Sequence, residues 1–513
     1  MKKAIVIGGG IGGLSIAARL LHNGFKVDLY EKNKFLGGKI NCLKYSNFKF
    51  DLTASLLMMP NDYIEIFNYC NKNYKDYFSI VPLNTLYKVF YYDDTNYSFK
   101  TDLPSLCKTI NSITNNDLDD SYSYFNFLSI NYKRYLLAEK YFLNKPFIQS
   151  KSLFNPLTLN KAYSLHSLSS CYKDCKKYIS CEKLINYILF QSMYVGISPF
   201  DSRCIYNLIP SSTQYNGLYY IRGGIYSYIE ALRKLILDLG GKIHTSSNVD
   251  EIILNNNRAS GIKIKNKCIY SDLVVCSSDY CYTINNLIKN KSFKTLSEDI
   301  TNFEHSCSTF ILYLGLNKKY PSLDVHNIFI NKNFKKNLEA PFKGKLSLDP
   351  SLYIYCPSSI DTSLCPIGCE TINIMLRVPN LLYKNISWSN NDIFKLENQL
   401  LDIVSKIPGL EDISSHIVFK HHLTPIDLKN IFNTYAGSAF GIGHNLSQSL
   451  IFRPQCVLSD IKDLYFTGAS VHPGNGISMV LKSSKICADI INNKWKKPQD
   501  NTCDKILRNL KGH

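Results

Sequence analysis

Three glycines near the start of the chain, Gly8, Gly10 and Gly13, fall at the spacing G-x-G-x-x-G, and an acid, Glu31, follows 18 residues after the last of them. Glycines so spaced make a tight turn, let backbone approach a pyrophosphate and let a helix pack closely on a strand. The phosphates then sit at a helix N-terminus, where unpaired N–H groups and the helix dipole favour negative charge. Glu31 is placed to accept hydrogen bonds from ribose hydroxyls, so the chemistry implied is binding of an adenine dinucleotide. Phe35-Leu36-Gly37-Gly38-Lys39 adds a second glycine turn, whose cation can pair with the phosphates or cover the adenine. A third unit lies near the C-terminus: Gly468, then His472-Pro473-Gly474-Asn475-Gly476, then Ile477 and Ser478 at another helix start. A second anion-friendly helix start suits a flavin, whose pyrimidine end gains negative charge on reduction.

Positioning these residues takes a particular set of elements. The apolar run 4–7 reads as a buried parallel strand, and Leu14, Ala17, Ala18 and Leu21 repeat on one face of a helix that stops at Gly24. A second strand, 25–30, ends on Glu31. Met1-Lys2-Lys3 before an apolar run has the look of a secretory leader, but the glycines, Arg19 and the absence of a small-residue cleavage site argue against one. From 217 the pattern returns: Ile221-Arg222-Gly223-Gly224 leads into a helix with Ile225, Ile229, Leu232, Ile236 and Leu239 on one face. Strands are expected at 242–245, 249–254, 259–264 and 273–276, and again at 464–467 before the last helix. The fold class is therefore α/β. A Rossmann-like dinucleotide domain (1–74, 215–300 and 450–495) carries an inserted mixed α+β domain (75–214 and 301–449) for substrate and membrane, and 496–513 form a basic tail.

Composition narrows the class. With 513 residues, 45% hydrophobic and 19% charged, the chain is globular, and it contains no run of about 18 apolar residues to span a bilayer. Its 17 cysteines form no C-x-x-C pair, and the tightest group (Cys171, Cys175, Cys181) lacks a fourth ligand, so no metal is expected. Scattered thiols without a leader fit a reducing cytoplasm. The net charge of +18 reads partly as drift in a Lys-, Asn-, Ile- and Tyr-rich chain and partly as attraction to an anionic membrane; no basic run resembles a nucleic-acid arm. Between 60 and 165 aromatic residues crowd together with lysines. There Tyr124, Phe127, Leu128, Tyr135, Ala138 and Phe142 share a helical face, with Lys133, Arg134 and Lys140 elsewhere on the helix. Such a stripe suits ordinary core, an interfacial surface or the wall of an apolar tunnel.

The chain resembles the bacterial-type carotenoid desaturases, FAD enzymes of the amine-oxidase-like superfamily. The resemblance runs over almost the whole length and is carried by 306–323, 353–368, 432–455 and YFTGASVHPGNGISMVL. Within that family, 50–60, 152–159 and 220–232 look most like the diapophytoene desaturase branch, which handles thirty-carbon polyenes. The resemblance implies that Gly8, Gly10, Gly13, Glu31, Lys39, the backbone around Val249, Gly468, Gly476, Ile477 and Ser478 hold FAD. Three departures stand out: Lys39 where the family has Arg, Thr53-Ala54 where it has Gly-Pro, and Ser277-Ser278 before Asp279 where it has Asn-Ala.

The reaction implied is hydride transfer from an allylic carbon to flavin, followed by loss of a proton that an allylic cation makes acidic. Side chains alone cannot oxidise such a carbon, which is why a cofactor is required. No strong base is needed; Asp51, His444 and His472 are candidates by motif position, each with a structural role as the alternative. The partners implied are a long apolar polyene, the inner face of the cell membrane as a peripheral support, and an electron acceptor such as quinone or oxygen. Alternatives on the same scaffold are a forty-carbon phytoene desaturase, a carotenoid oxygenase or isomerase, and an amine oxidase. A prenyl-lipid carrier of the GDP-dissociation-inhibitor kind is the alternative from a different class.

Overall fold

The computed structural model describes residues 1–148, 154, 156–165, 169–290 and 300–495. The basic tail 496–513, and residues 152, 153 and 155 of the stretch 152–159, lie outside the described residues.

Five parallel strands form the first sheet, in the order Leu464–Phe466, Leu273–Cys276, Lys3–Ile7, Lys26–Tyr30, Lys242–His244. The central strands are buried on both faces, as parallel strands between helices must be, and Ala4, Ile5, Val6, Val274 and Val275 have no solvent exposure. The helix Ile11–His22 packs against both Ile477–Trp495 and Tyr226–Asp238. Between the first two, the Ser15 and Ser484 hydroxyls meet at 2.6 Å. Because Lys3–Ile7 and Leu464–Phe466 run the same way, the turns that follow them leave the sheet at one edge. Both following helices therefore begin at that carboxyl edge, where α/β folds bind ligands.

The second sheet has seven strands, in the order Ile417–Leu423, Ser308–Leu316, Glu370–Val378, Leu352–Tyr355, His326–Ile330, Thr85–Tyr91, Asn96–Lys100. All pairs are antiparallel except His326–Ile330 with Thr85–Tyr91. All nine residues of Ser308–Leu316 are buried, so this sheet too is covered on both sides. Phe310, Leu312, Leu314 and Leu316 join the core beneath the helix Asn390–Val404, while Ile311 and Tyr313 face the opposite way. The alternation follows directly from the strand period of two.

Two details depart from the sequence reading. The strand expected at 249–254 begins at Glu251, leaving Val249 before it. Arg134, which the spacing puts off the shared apolar face of its helix, is buried all the same. It pairs with Asp174 at 2.8 Å and also donates to the Asn131 side-chain oxygen. In the aromatic stripe of Leu118–Ala138, Tyr124, Phe127 and Leu128 pack in the core, whereas Ala138 and, beyond it, Phe142 reach the cavity described next.

Candidate flavin and polyene cavity

A single cavity of about 840 Å³ runs from the carboxyl edge of the parallel sheet, under the seven-stranded sheet, to the surface. Its inner end is built from the glycine turns. Gly8, with φ +97°, lies against Ser277 and Ser278, where a β-carbon would stand 3.2 Å from their backbone. Gly13 must be glycine, since a β-carbon there would be 1.9 Å from the Gly8 carbonyl oxygen. Gly10 differs from both: it caps the helix start, and a β-carbon on it would meet nothing within 4 Å. The space it would enter is the cavity, so a side chain at Gly10 would fill the place a pyrophosphate needs. The first intrahelical bond is Leu14 N–H to Gly10 O, so the N–H groups of Ile11, Gly12 and Gly13 have no intrahelical partner.

Glu31 stands beside this turn, where the strand Lys26–Tyr30 stops. Its carboxylate accepts the N–H of Gly9 at 2.7 Å and of Asn33 at 2.8 Å, which fixes its place and leaves lone pairs for hydroxyl donors. The second glycine turn is fastened to the first by Gly37 N–H donating to Gly9 O at 2.8 Å. Val249 is buried on the cavity wall, and neither its N–H nor its C=O has a hydrogen-bond partner among the described residues. A paired donor and acceptor of that kind matches the edge of an adenine ring.

The C-terminal unit supplies the other cradle. Gly468 (φ +135°) and Gly476 (φ +92°) both hold backbone that other residues rarely adopt, and both border the cavity. Ile477 and Ser478 open the helix Ile477–Trp495 there, with the Ser478 hydroxyl donating to Met58 O at 3.2 Å. Two helix N-termini thus face one cavity. Open space at Gly10 and Gly476, an anchored acid and an unpaired peptide at Val249 together fit an adenine dinucleotide carrying a flavin.

Lys39 reaches from the second glycine turn to the Ala439 carbonyl, 2.7 Å away, and Thr53 donates to the Lys39 carbonyl at 2.7 Å. Burial lowers the Lys39 pKa, with the nearby Asp279 carboxylate opposing that shift. Asp279, noted in the sequence only as part of a departure from a family pattern, lines the cavity. It accepts from Ser470 and from the Tyr282 N–H, and burial raises its pKa against those bonds and against Lys39.

The three acid–base candidates separate clearly. Asp51 does not line the cavity: it accepts the Ile225 N–H at 2.9 Å and the Tyr355 hydroxyl at 3.1 Å, and burial pushes its pKa up to about 6. It fastens the turn before Tyr226–Asp238. His472 lines the cavity, but its Nε2 lies 3.2 Å and 3.0 Å from the carbonyls of Phe142 and Lys145, and burial lowers its pKa to about 4. It is a neutral donor to backbone. His444 also borders the cavity, and burial, reinforced by the Arg453 cation, holds its pKa well below the usual histidine value. Neither histidine carries a charge at neutral pH.

Away from the glycine turns the cavity becomes apolar. Ile311, Tyr353 and Met375 of the seven-stranded sheet form one wall, and Phe142, Leu165 and Ile205 lie further along. Arg377 and Phe440 border the same space, with the guanidinium carbon 4.7 Å above the ring centre. Sequence reasoning passed over Arg377. The available signal was the one cation of the strand Glu370–Val378, two residues past Met375 and so on the same face.

The sequence pattern of the flavin containing amine oxidoreductases matches residues 11–282. A 4,4'-diapophytoene desaturase (4,4'-diaponeurosporene-forming) of Staphylococcus haemolyticus is 35% identical, the match covering 94% of this chain and 97% of that one. The chain belongs to the diapophytoene desaturase family of flavin amine oxidoreductases. Solved structures share its fold. An oxidoreductase from Methanosarcina mazei aligns with TM-score 0.62 at 16% identity, covering 96% of this chain and 100% of that one. A Rab GDI from Plasmodium falciparum aligns with TM-score 0.52 at 12% identity, covering 96% and 98%. As a family member the chain is a flavin oxidoreductase whose cofactor is FAD. The amine-oxidase-like α/β fold expected from the sequence is the one observed.

Proposed function

We propose that this protein desaturates a linear carotenoid precursor, most closely of the diapophytoene type, with FAD held by the glycine cradles. The observation that carries the reading is the continuity of one cavity from the open cradle at Gly10 to an apolar corridor that ends at the surface. The residues that would hold FAD are Gly8, Gly10, Gly13, Glu31, Lys39, Val249, Gly468, Gly476, Ile477 and Ser478. When bound, FAD supplies the two-electron acceptor that no side chain here offers.

The chain's own residues do three things. The helix starts at Ile11 and Ile477 hold negative charge through unpaired N–H groups and the helix dipole. Ile311, Met375 and Tyr353 press an apolar chain from the sheet side and exclude water. No ionised base is presented to it by the three candidates: His444 and His472 are neutral and Asp51 lies elsewhere, in keeping with a proton that leaves an already acidic carbon. Affinity for a hydrocarbon then comes from buried area, at about 25 cal/mol per Å².

The corridor's mouth supports docking on a membrane. Phe154, Leu159, Leu446 and Phe452 line the cavity and are also 58%, 45%, 43% and 56% exposed. Nearby, Lys140, Lys145 and Lys161 gather about the ring of Tyr141, each 5.4–5.6 Å from its centre. Aromatic and aliphatic side chains ringed by lysines suit the headgroup layer of an anionic bilayer. No helix among the described residues is long and apolar enough to cross a membrane.

The test is anaerobic mixing of the FAD-loaded protein with liposomes containing diapophytoene. Bleaching of the flavin band together with growth of a longer-wavelength polyene spectrum is expected. A flavin band that persists while the precursor is recovered unchanged would remove the desaturase reading, and a purified protein without flavin would favour a lipid carrier.

A further inference from the structure

Arg377 sits where a cavity for a pure hydrocarbon has no use for it. Within Glu370–Val378 the residues Ile372, Ile374, Leu376 and Val378 face the core under Asn390–Val404, so Asn373, Met375 and Arg377 face the cavity side. Thr309 is the cross-strand partner of Arg377 and borders the same cavity. The Arg377 Nε donates to the Met193 carbonyl at 3.0 Å, and the guanidinium carbon stands 4.7 Å from the centre of the Phe440 ring. Neither terminal nitrogen has a hydrogen-bond partner among the described residues, and no carboxylate neutralises the group. Its electrostatic neighbours are Cys307, Tyr194 and Tyr353, and burial lowers its pKa.

An unpaired cation beside an apolar ligand is costly. Covering it with hydrocarbon would strip its remaining water and return no hydrogen bond, and a charge so treated loses more than a neutral group. A carboxylate or carbonyl oxygen placed there would instead receive two charge-assisted N–H bonds from a group already oriented by Met193 and Phe440.

We propose that Arg377 is a specificity-determining residue that binds an oxygen-bearing end group, carboxylate or carbonyl, of a long apolar molecule in this cavity. Two sources share that chemistry: an oxidised end of the polyene, or the ring carbonyl of a prenylated quinone acting as electron acceptor. The inference rests on the reading of the cavity as a site for long apolar chains.

The probes are three fluorescent molecules of one length, an octadecatetraenoic acid, its methyl ester and the octadecatetraene hydrocarbon, titrated into the FAD-loaded protein. The wild type is expected to bind the acid at least tenfold more tightly than the hydrocarbon, with the ester between them. In Arg377→Leu the difference should vanish or reverse, and in Arg377→Lys part of it should remain. Displacement of the acid by a short-tailed benzoquinone from the wild type assigns the oxygen to an acceptor; failure to displace it assigns the oxygen to the polyene end. Equal binding of acid and hydrocarbon by the wild type would overturn the proposal while leaving the apolar cavity intact. No binding of any of the three would instead remove the reading beneath it. Loss of FAD from Arg377→Leu would also overturn it, by making the guanidinium a cofactor ligand. Should that variant not fold, the wild-type ratio and Arg377→Lys still decide.

Discussion

Gly13 approaches Gly8 so closely that a β-carbon on Gly13 would stand 1.9 Å from the Gly8 carbonyl oxygen, whereas a β-carbon on Gly10, between them, would meet nothing within 4 Å. Two glycines of one motif are therefore required for different reasons. Gly13 is held to glycine by a backbone clash, whereas at Gly10 only an occupant of the cavity would exclude a side chain. Gly13→Ala is expected to damage folding, because the clash is with backbone and cannot be relieved by a rotamer. Gly10→Val is expected to give a folded protein without flavin. Circular dichroism and the flavin absorbance of purified protein separate the two; full flavin occupancy in Gly10→Val would remove the site assignment.

Glu31 tests the same cradle more gently. Its carboxylate holds the Gly9 and Asn33 N–H groups, so Glu31→Ala removes a brace for the turn together with the acceptor proposed for ribose hydroxyls. A hydrogen bond to a charged group contributes about 1.5–3 kcal/mol, which corresponds to a rise in the FAD Kd of roughly 10- to 150-fold. Glu31→Gln keeps one acceptor oxygen and should fall between. Isothermal titration of FAD into apoprotein measures both.

How much of this was legible beforehand differs from residue to residue. The glycine spacing and the strand and helix around it are local, and the structure places Gly8, Gly10, Gly13 and Glu31 together as local rules require. Helical periodicity puts Arg134 off the apolar stripe but does not show that it is buried. Its partner Asp174 is 40 residues away, and no local pattern reports that pairing. Arg377 was missed for a related reason. Its strand reads as continuous core, and only the second sheet's register shows that it shares a cavity with the glycine turns. Asp51 was legible first as a turn cap and only second as a candidate base, and its hydrogen bonds to Ile225 and Tyr355 away from the cavity agree with the first reading.

That burial gives Asp51 a pH signature. Its folded pKa, about 6, lies above the usual aspartate value of 3.8, chiefly because burial disfavours the charged form, while the bonds from Ile225 and Tyr355 oppose the change. The folded state then holds this proton more tightly than the unfolded state does. Its contribution is complete below the unfolded pKa and is lost as pH rises through about 6. That difference corresponds to about 3 kcal/mol in all. Asp51→Asn removes this titration, so its melting temperature should gain on that of the wild type as pH rises from 4 to just above 6. Parallel pH dependence in the two proteins would contradict the shift.

The surface at the corridor's mouth makes a separate prediction about salt. Phe452 is 56% exposed at the cavity rim, and an apolar side chain that enters a bilayer is not screened by ions. Attraction from the lysines about Tyr141 is screened, since the Debye length falls from about 10 Å at 0.1 M to about 3 Å at 1 M. Phe452→Asp should weaken flotation with liposomes at both salt concentrations. Lys161→Gln should weaken it at low salt and for anionic vesicles only. Binding of the wild type that is indifferent to lipid charge and salt would leave the +18 net charge as a matter of composition.

Chain length of the substrate is the last prediction, and it depends on both ends of the cavity. Thr53 and Ala54 near the glycine cradle and Ile311 and Met375 of the sheet line the cavity, and Leu446 and Phe452 line it where they also reach solvent. If substrate length is measured from the inner wall, a thirty-carbon chain places its allylic carbon correctly. Ten further carbons that find no room would displace that carbon. Hydrophobic contact alone discriminates weakly, about 1–3 kcal/mol per methylene, but displacement of a reacting carbon by an ångström costs rate steeply. We expect diapophytoene to be consumed faster than phytoene when both compete in one membrane preparation, which gives the ratio of kcat/KM directly. Thr53→Gly should narrow the preference by opening the inner end, and its loss of the hydroxyl bond to the Lys39 carbonyl is controlled by Thr53→Val, which keeps the bulk. Equal consumption by the wild type would mean that length is not measured at the inner wall and that the surplus carbons leave through the mouth. Faster turnover of phytoene would reverse the expected preference while leaving the desaturation chemistry and the flavin cradle as they are.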